Sequence, residues 1–283
     1  MNILLSPIIY AGDLLNIFGN DRLIIVDASN GRYSKENYQQ QHVKGALFVD
    51  LNTQLSEIKE NLSNGGRHPL PTLQHFSNTL AAFGISQKNH VVVYDDKNGA
   101  NAAARFWWML KAAGHNKVQV LNGGLQAAEK AGIPLRSGQE TITPSTYPLT
   151  KWQLPVADIN DVTHYIQEKN QIVLDVRDKD RYEGLNEPLD PIAGHIPGTI
   201  NIPFSENLGA GGLFKSPEEL RKKYEPLFQG KDPKDIIVHC GSGVTACHTL
   251  LALDYAGLGI PKLYVGSWSE WSRNNKPIAT GEK

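Results

Sequence analysis

Short apolar runs alternate along the whole chain with longer segments of helical spacing. The runs at 23–26, 46–50, 90–94 and 117–121 are rich in Val, Ile and Leu, which predicts buried strands. Between and after them, 36–43, 72–83, 98–113 and the stretch that follows Asn122-Gly123-Gly124 as far as Ala131 have helical spacing, which predicts helices. Thr72 stands where a helix N-cap is wanted, and Gly84 and Gly114 stand where helices close. The stretch 61–71, with Gly65, Gly66, Pro69 and Pro71, is a loop. Strands that alternate with helices in this way predict an α/β fold, with a parallel sheet flanked by helices on both faces.

The second half of the chain repeats the first. Ile172-Val173-Leu174-Asp175 answers Ile24-Ile25-Val26-Asp27, and His195-Ile196-Pro197-Gly198 answers His42-Val43-Lys44-Gly45. The run Ile236-Ile237-Val238-His239-Cys240 answers Val91-Val92-Val93-Tyr94-Asp95. Gly266 to Pro277 matches Gly123 to Pro134 with identical spacing. Blocks that recur in the same order predict a duplicated domain. Between the copies the chain turns rich in Ser, Thr, Pro and Gly without a clear period, which reads as a linker. The division expected is 1–138 for the first domain, 139–154 for the linker and 155–283 for the second domain.

Composition narrows the function classes. The chain has 283 residues, 40% hydrophobic and 20% charged, with a net charge of −1. That balance suits a globular protein and gives no broad attraction to nucleic acid or an anionic membrane. Two cysteines, Cys240 and Cys247, argue against a disulfide framework and for a reducing compartment, with the cytoplasm as the expected location. The first ten residues are apolar but broken by Pro7 and lack a basic run, unlike a signal peptide, and no run is long enough to span a bilayer. The histidines and cysteines show no zinc-type spacing, so no metal and no organic cofactor is expected.

Chemistry concentrates in one stretch. The apolar run 236–238 leads to Cys240, then to Gly241-Ser242-Gly243-Val244-Thr245 and a helix through Tyr255. A strand, a tight loop and a helix start place a thiol where two glycines can curl the backbone and turn successive N–H groups inward. The helix N-terminus adds partial positive charge. Both favour thiolate over thiol and would hold an anion such as a persulfide on the sulfur. The first copy has Asp95 at this position, so only the second copy can act as a nucleophile and the first is a non-catalytic scaffold. Cys247 is about two helical turns on and is expected in the core, as are Trp107, Trp108, Trp268 and Trp271.

Together these residues resemble the two-domain rhodanese, or sulfurtransferase, family over nearly the whole chain. The His-Ile-Pro-Gly block at His195, its weaker copy at His42 and the Asp-Val-Arg run at Asp175 look like family markers. The loop from Cys240 to Thr245 is most similar to that of the 3-mercaptopyruvate sulfurtransferases. Thiosulfate-preferring relatives carry basic residues at the positions of Gly241 and Ser242, where cationic side chains suit a dianion. The family's substrate arginine falls on Arg181, whose planar fork can grip a carboxylate. The sequence departs from the pattern after Glu187-Pro188, where mercaptopyruvate enzymes have an arginine and this chain has Leu189; Arg177 is the candidate to compensate. In relatives the loop of His68-Pro69-Leu70-Pro71 borders the interdomain cleft.

The resemblance implies a sulfurtransferase that carries sulfane sulfur on Cys240 from 3-mercaptopyruvate to a thiol acceptor, a thioredoxin-like protein included, or to cyanide. Gly241 to Thr245 would line the substrate loop. Ser242 would donate to the donor's carbonyl or relay a proton, and Thr245 would also cap the helix. Asp175 would orient Arg181 or the loop amides, or simply shape a turn. His42 and His195 read as structural. Thiosulfate:cyanide transfer by the same mechanism is the alternative within the class, and a non-catalytic sulfur-carrier or sensor module is the alternative outside it. A cysteine phosphatase would need an arginine at position 246 to clamp phosphate, and that residue is Ala246.

Overall fold

The β-branched runs become strands because their side chains are buried on both sheet faces, where an alternating pattern would leave one face wet. In this computed structural model, which describes residues 5–168, 170–228 and 230–281, the strands fall into two groups. The first comprises β1 (Ile8–Ile9), β2 (Leu23–Asp27), β3 (His42–Val43), β4 (Ala46–Phe48), β5 (His90–Tyr94), β6 (Val118–Leu121) and β7 (Leu135–Arg136). The second comprises β8 (Val156–Ala157), β9 (Ile172–Asp175), β10 (Ile200–Asn201), β11 (Ile236–His239) and β12 (Lys262–Tyr264).

Each group forms a parallel sheet. The orders are β1-β6-β5-β2-β4 and β8-β12-β11-β9-β10. Matched strand by strand, the two orders are the same, so the repetition seen in the sequence is also a repetition of topology. Registers agree as well: Asp27 faces Tyr94 in the first sheet, and Asp175 faces His239 in the second. β3 and β7 pair antiparallel beside the first sheet.

The chain divides into two compact units, and the division is not contiguous. One unit holds the described residues up to Leu55, Pro71–Gln153 and Ala210–Phe214; the other holds Ser56–Leu70, Leu154–Gly209 and the described residues from Lys215 on. The stretch 139–153 lacks regular structure but is packed into the first unit. Tyr147 is buried, Ser77 donates to its carbonyl at 2.6 Å, and the Trp152 ring lies 5.6 Å from Phe76 and 6.4 Å from Trp108.

In both units the strand at the middle of the sheet runs into a helix that is apolar nearly all round. Ala102–Ala112 follows β5 and Thr245–Tyr255 follows β11. Trp107 and Trp108 are fully buried on the first of these helices, as are Leu250, Leu251 and Cys247 on the second. A helix apolar on every side is fixed by its surroundings on every side. Its N-terminus is therefore held at the carboxyl end of the parallel strands, the end where open α/β sheets bind ligands.

Candidate active site

Cys240 follows β11 directly and is buried. The two loop glycines have different reasons to be there. Gly243 has φ of 73°, and a Cβ on it would lie 2.6 Å from the Val265 carbonyl oxygen, so it serves the turn. Gly241 does not occupy the left-handed region. A Cβ there would meet Arg67 Nη2 at 3.2 Å and both terminal nitrogens of Arg181 at 3.4 Å. Gly241 therefore leaves room for two guanidinium groups and does not curl the loop as the sequence suggested.

The cap expected from Thr245 is not made. The helix begins at Thr245, the N-cap position is Val244, and no side chain caps it. Thr245 is one residue past the capping position, and the Val244 side chain there has no acceptor to offer. An uncapped N-terminus leaves those donors for an anion. The first unit shows the alternative. There Asp95 takes the place of the thiol, and its carboxylate accepts the N–H groups of Lys97 at 2.9 Å, Gly99 at 2.8 Å, Asn101 at 3.1 Å and Ala103 at 3.2 Å. A loop at this point of the fold gathers amides around a negative charge; in the second unit the residue at that point is a thiol. Burial pushes the Asp95 carboxyl up to about 6, against the pull of those amides.

The backbone of Cys240 is held from the C-terminal side. Ser267 Oγ accepts its N–H at 3.2 Å and donates to the Tyr264 carbonyl at 2.8 Å. The Cys240 and Gly241 carbonyls accept the N–H groups of Trp268 and Ser269. Cys247 lies in the core as expected, its thiol donating to the Gly243 carbonyl at 3.3 Å.

Behind the loop runs a chain of ion pairs. Asp175 does not touch Arg181. Its carboxylate takes Arg177 Nε at 3.0 Å and Nη2 at 2.6 Å. Arg177 then reaches Glu187 at 3.3 Å, and Glu187 grips the Arg181 fork at 2.6 Å and 2.9 Å. Asp175 thus positions Arg181 through two intermediaries. Burial would raise the Asp175 carboxyl, but the Arg177 charge, with His239 behind it, holds it below the usual carboxylate range. Arg177 is spent inside the protein: it also donates to the Gly194 carbonyl and lies 4.7 Å from the Trp268 ring centroid. It cannot stand in for the arginine absent at Leu189, whose own side chain is exposed.

Several site residues escaped the sequence reading. His68 Nδ1 lies 2.8 Å from Ser242 Oγ. Arg67 pairs with Asp190, which also binds Arg273 at 2.7 Å and approaches Arg181 at 3.8 Å. Both Arg67 and His68 belong to the Ser56–Leu70 segment of the second unit. The signal for them was weak: an arginine and a histidine in a loop that has glycines before it and prolines after it, a loop singled out only by the resemblance. His195 and His42 have matching structural roles. Each stacks on a tyrosine and bonds that tyrosine's carbonyl, Tyr182 at 2.7 Å and Tyr38 at 2.6 Å.

Comparison with known proteins places these observations in a family. The Rhodanese-like domain matches residues 10–131 and 158–274. A probable 3-mercaptopyruvate sulfurtransferase of Pseudomonas aeruginosa is 40% identical over 253 residues, covering 88% of each chain. Thiosulfate sulfurtransferase of Rattus norvegicus is 36% identical over 266 residues, covering 90% of this chain and 86% of that one. The structure of 3-mercaptopyruvate sulfurtransferase from Leishmania major superposes with a TM-score of 0.82 at 30% identity, covering 95% of this chain and 75% of that one.

Proposed function

The chain belongs to the rhodanese-like family, and from that premise we propose that it is a sulfurtransferase taking sulfane sulfur from 3-mercaptopyruvate onto Cys240. One observation carries this reading. A buried thiol stands at the mouth of a loop that ends in an uncapped helix, with the Arg181 guanidinium beside Gly241. The nucleophile is assigned to the second half, 155–283; 1–138 is the half with no nucleophile at the matching position, although its segment 56–70 packs with the second unit, and 139–154 joins the two halves.

The Cys240 thiolate attacks the sulfur of the donor. An S–S bond forms and the donor's C–S bond breaks, its electron pair passing to carbon as the enolate of pyruvate. A proton on that carbon completes pyruvate, and Cys240 keeps the sulfur as a persulfide. Amides from Gly241 to Thr245 stabilise the charge on the outer sulfur. Ser242, with His68 at 2.8 Å, is placed to donate to the donor's carbonyl oxygen as enolate charge develops. Arg181 binds the donor's carboxylate. The acceptor is a thiol, small or carried by a thioredoxin-like protein, as suits a cytoplasmic enzyme. Among the described residues no helix is long and apolar enough to cross a membrane.

Thiosulfate is the second reading, favoured by Leu189 in the place of an arginine. The same attack would then break the donor's S–S bond and release sulfite. The deciding test compares kcat/KM for the two donors with one thiol acceptor, with Cys240→Ser alongside. The expected result is a preference for mercaptopyruvate and no transfer by the serine variant. A preference for thiosulfate would reassign the donor. Transfer undiminished in Cys240→Ser would remove Cys240 as the nucleophile, and no transfer above the uncatalysed background from either donor would leave the protein a binding or sulfur-carrier module.

A further inference from the structure

We infer that Arg67 is a specificity-determining residue of this site: with Arg181 it forms a two-guanidinium seat over Gly241 for the carboxylate of the sulfur donor. The inference rests on the sulfurtransferase reading above and adds a residue that selects a donor bearing a carboxylate over its neutral counterpart.

Both forks converge on one point. Arg67 Nη2 and Arg181 Nη1 lie 3.2 Å and 3.4 Å from the place where a Gly241 Cβ would sit. Each fork is gripped on its other side, Arg67 by Asp190 and Arg181 by Glu187. Arg181 Nη2, also 3.4 Å from that place, is taken by Glu187, whereas Arg67 Nη2 and Arg181 Nη1 donate to no protein acceptor among the described residues. Two like charges aimed at one spot repel unless an anion lies between them. Asp190 performs that task behind them, and the side facing the loop is left for a ligand.

Charge counting agrees. In the ion-paired cluster, Arg67, Arg177, Arg181 and Arg273 share the carboxylates of Asp175, Glu187 and Asp190, Asp190 serving both Arg67 and Arg273, so the cluster keeps one net positive charge. Nor is Arg67 a loose surface residue. Its N–H donates to Ser269 Oγ at 2.8 Å, the Gly65 N–H donates to Glu270 at 2.8 Å, and Asn274 donates to the Ser63 carbonyl at 2.8 Å. The segment is thus tied to residues 269–274 of the same unit. A carboxylate takes one N–H from each fork, which fixes its orientation as a single lysine would not. Since Gly241 adjoins Cys240, an anion seated there presents the rest of the donor to the thiol.

The test compares Arg67→Gln and Arg67→Lys with the native protein, using 3-mercaptopyruvate and its methyl ester, which lacks the negative charge. The native protein should prefer the acid. Arg67→Gln should raise KM for the acid by about tenfold or more, as for loss of a hydrogen bond to a charged group, and leave the ester nearly unchanged; Arg67→Lys should recover part of the loss. Equal loss with acid and ester would mean that Arg67 only holds the loop, and no loss with either would mean that it does not meet the donor; both outcomes overturn the inference alone. A native protein inactive with the acid overturns the donor assignment, and the inference with it.

Discussion

Ser267 holds the backbone N–H of Cys240 at 3.2 Å from a residue whose own φ is 55°. Its counterpart in the first repeat is Gly124, at φ 59°. A non-glycine residue in this region costs about 1–2 kcal/mol, so the second repeat bears backbone strain where the first has glycine. The return is a hydroxyl that fixes the nucleophile's own amide. In Ser267→Gly, relief of strain and loss of a hydrogen bond worth about 1 kcal/mol nearly cancel. The expected result is an unchanged Tm, a several-fold lower kcat and an unchanged KM. Ser267→Ala keeps the strain and loses the bond, so its Tm should fall as well. A normal kcat in the glycine variant would make Ser267 merely structural.

Gly241 and Gly243 should respond to alanine in opposite ways. At Gly243 the new Cβ would stand 2.6 Å from a backbone oxygen, at a φ that alanine resists. Loss of stability of 2 kcal/mol or more is expected on the order of magnitude known for strained core sites. At Gly241 only the two arginine forks are near, at 3.2–3.4 Å, and side chains can shift. Gly241→Ala should keep its Tm and raise KM for the donor several-fold. Thermal denaturation and steady-state kinetics on both variants give the comparison.

Asp95 makes the first unit sensitive to pH. Its carboxyl rises from 3.8 to about 6 on folding, burial being the main cause. The folded state therefore binds the proton more tightly than the unfolded one. The stabilising contribution is full below pH 3.8 and is lost as pH rises through about 6. The shift corresponds to roughly 3 kcal/mol. Denaturant midpoints of the native protein and Asp95→Asn, measured from pH 4 to 7, should diverge: the native protein loses stability relative to the variant as pH rises. Parallel curves would show that the four amides offset burial completely.

What the sequence could reveal follows from how far each feature reaches along the chain. The strands, the repeat and the Cys240 loop are local patterns, so runs, spacing and order suffice to find them. Arg181 was reachable only through the family resemblance, whose motif puts an arginine six residues after Asp175. Arg67 was not, and of His68 only its loop could be singled out, not its partner. Ser242 is 174 residues from the histidine it meets, and no periodicity links a loop to a partner so distant. The same limit applies to the purpose of Gly241. A glycine chosen for backbone freedom and a glycine chosen for space read alike in a sequence, and only the neighbouring guanidinium groups separate them.

The contact between His68 and Ser242 makes a last prediction about coupling. His68 Nδ1 and Ser242 Oγ are 2.8 Å apart, and Ser242 lies two residues after the nucleophile. If the histidine orients the hydroxyl toward the donor's carbonyl, the two act as one group. Removing either then removes the whole effect, and removing both removes nothing more. Ser242→Ala and His68→Ala should each lower kcat with mercaptopyruvate by about 100- to 1,000-fold, the range for a hydrogen bond to developing charge. The double variant should match the single ones. With thiosulfate, which has no carbonyl to polarise, the losses should be far smaller. Multiplicative losses in the double variant, or equal losses with both donors, would separate the two residues and remove carbonyl polarisation from the mechanism.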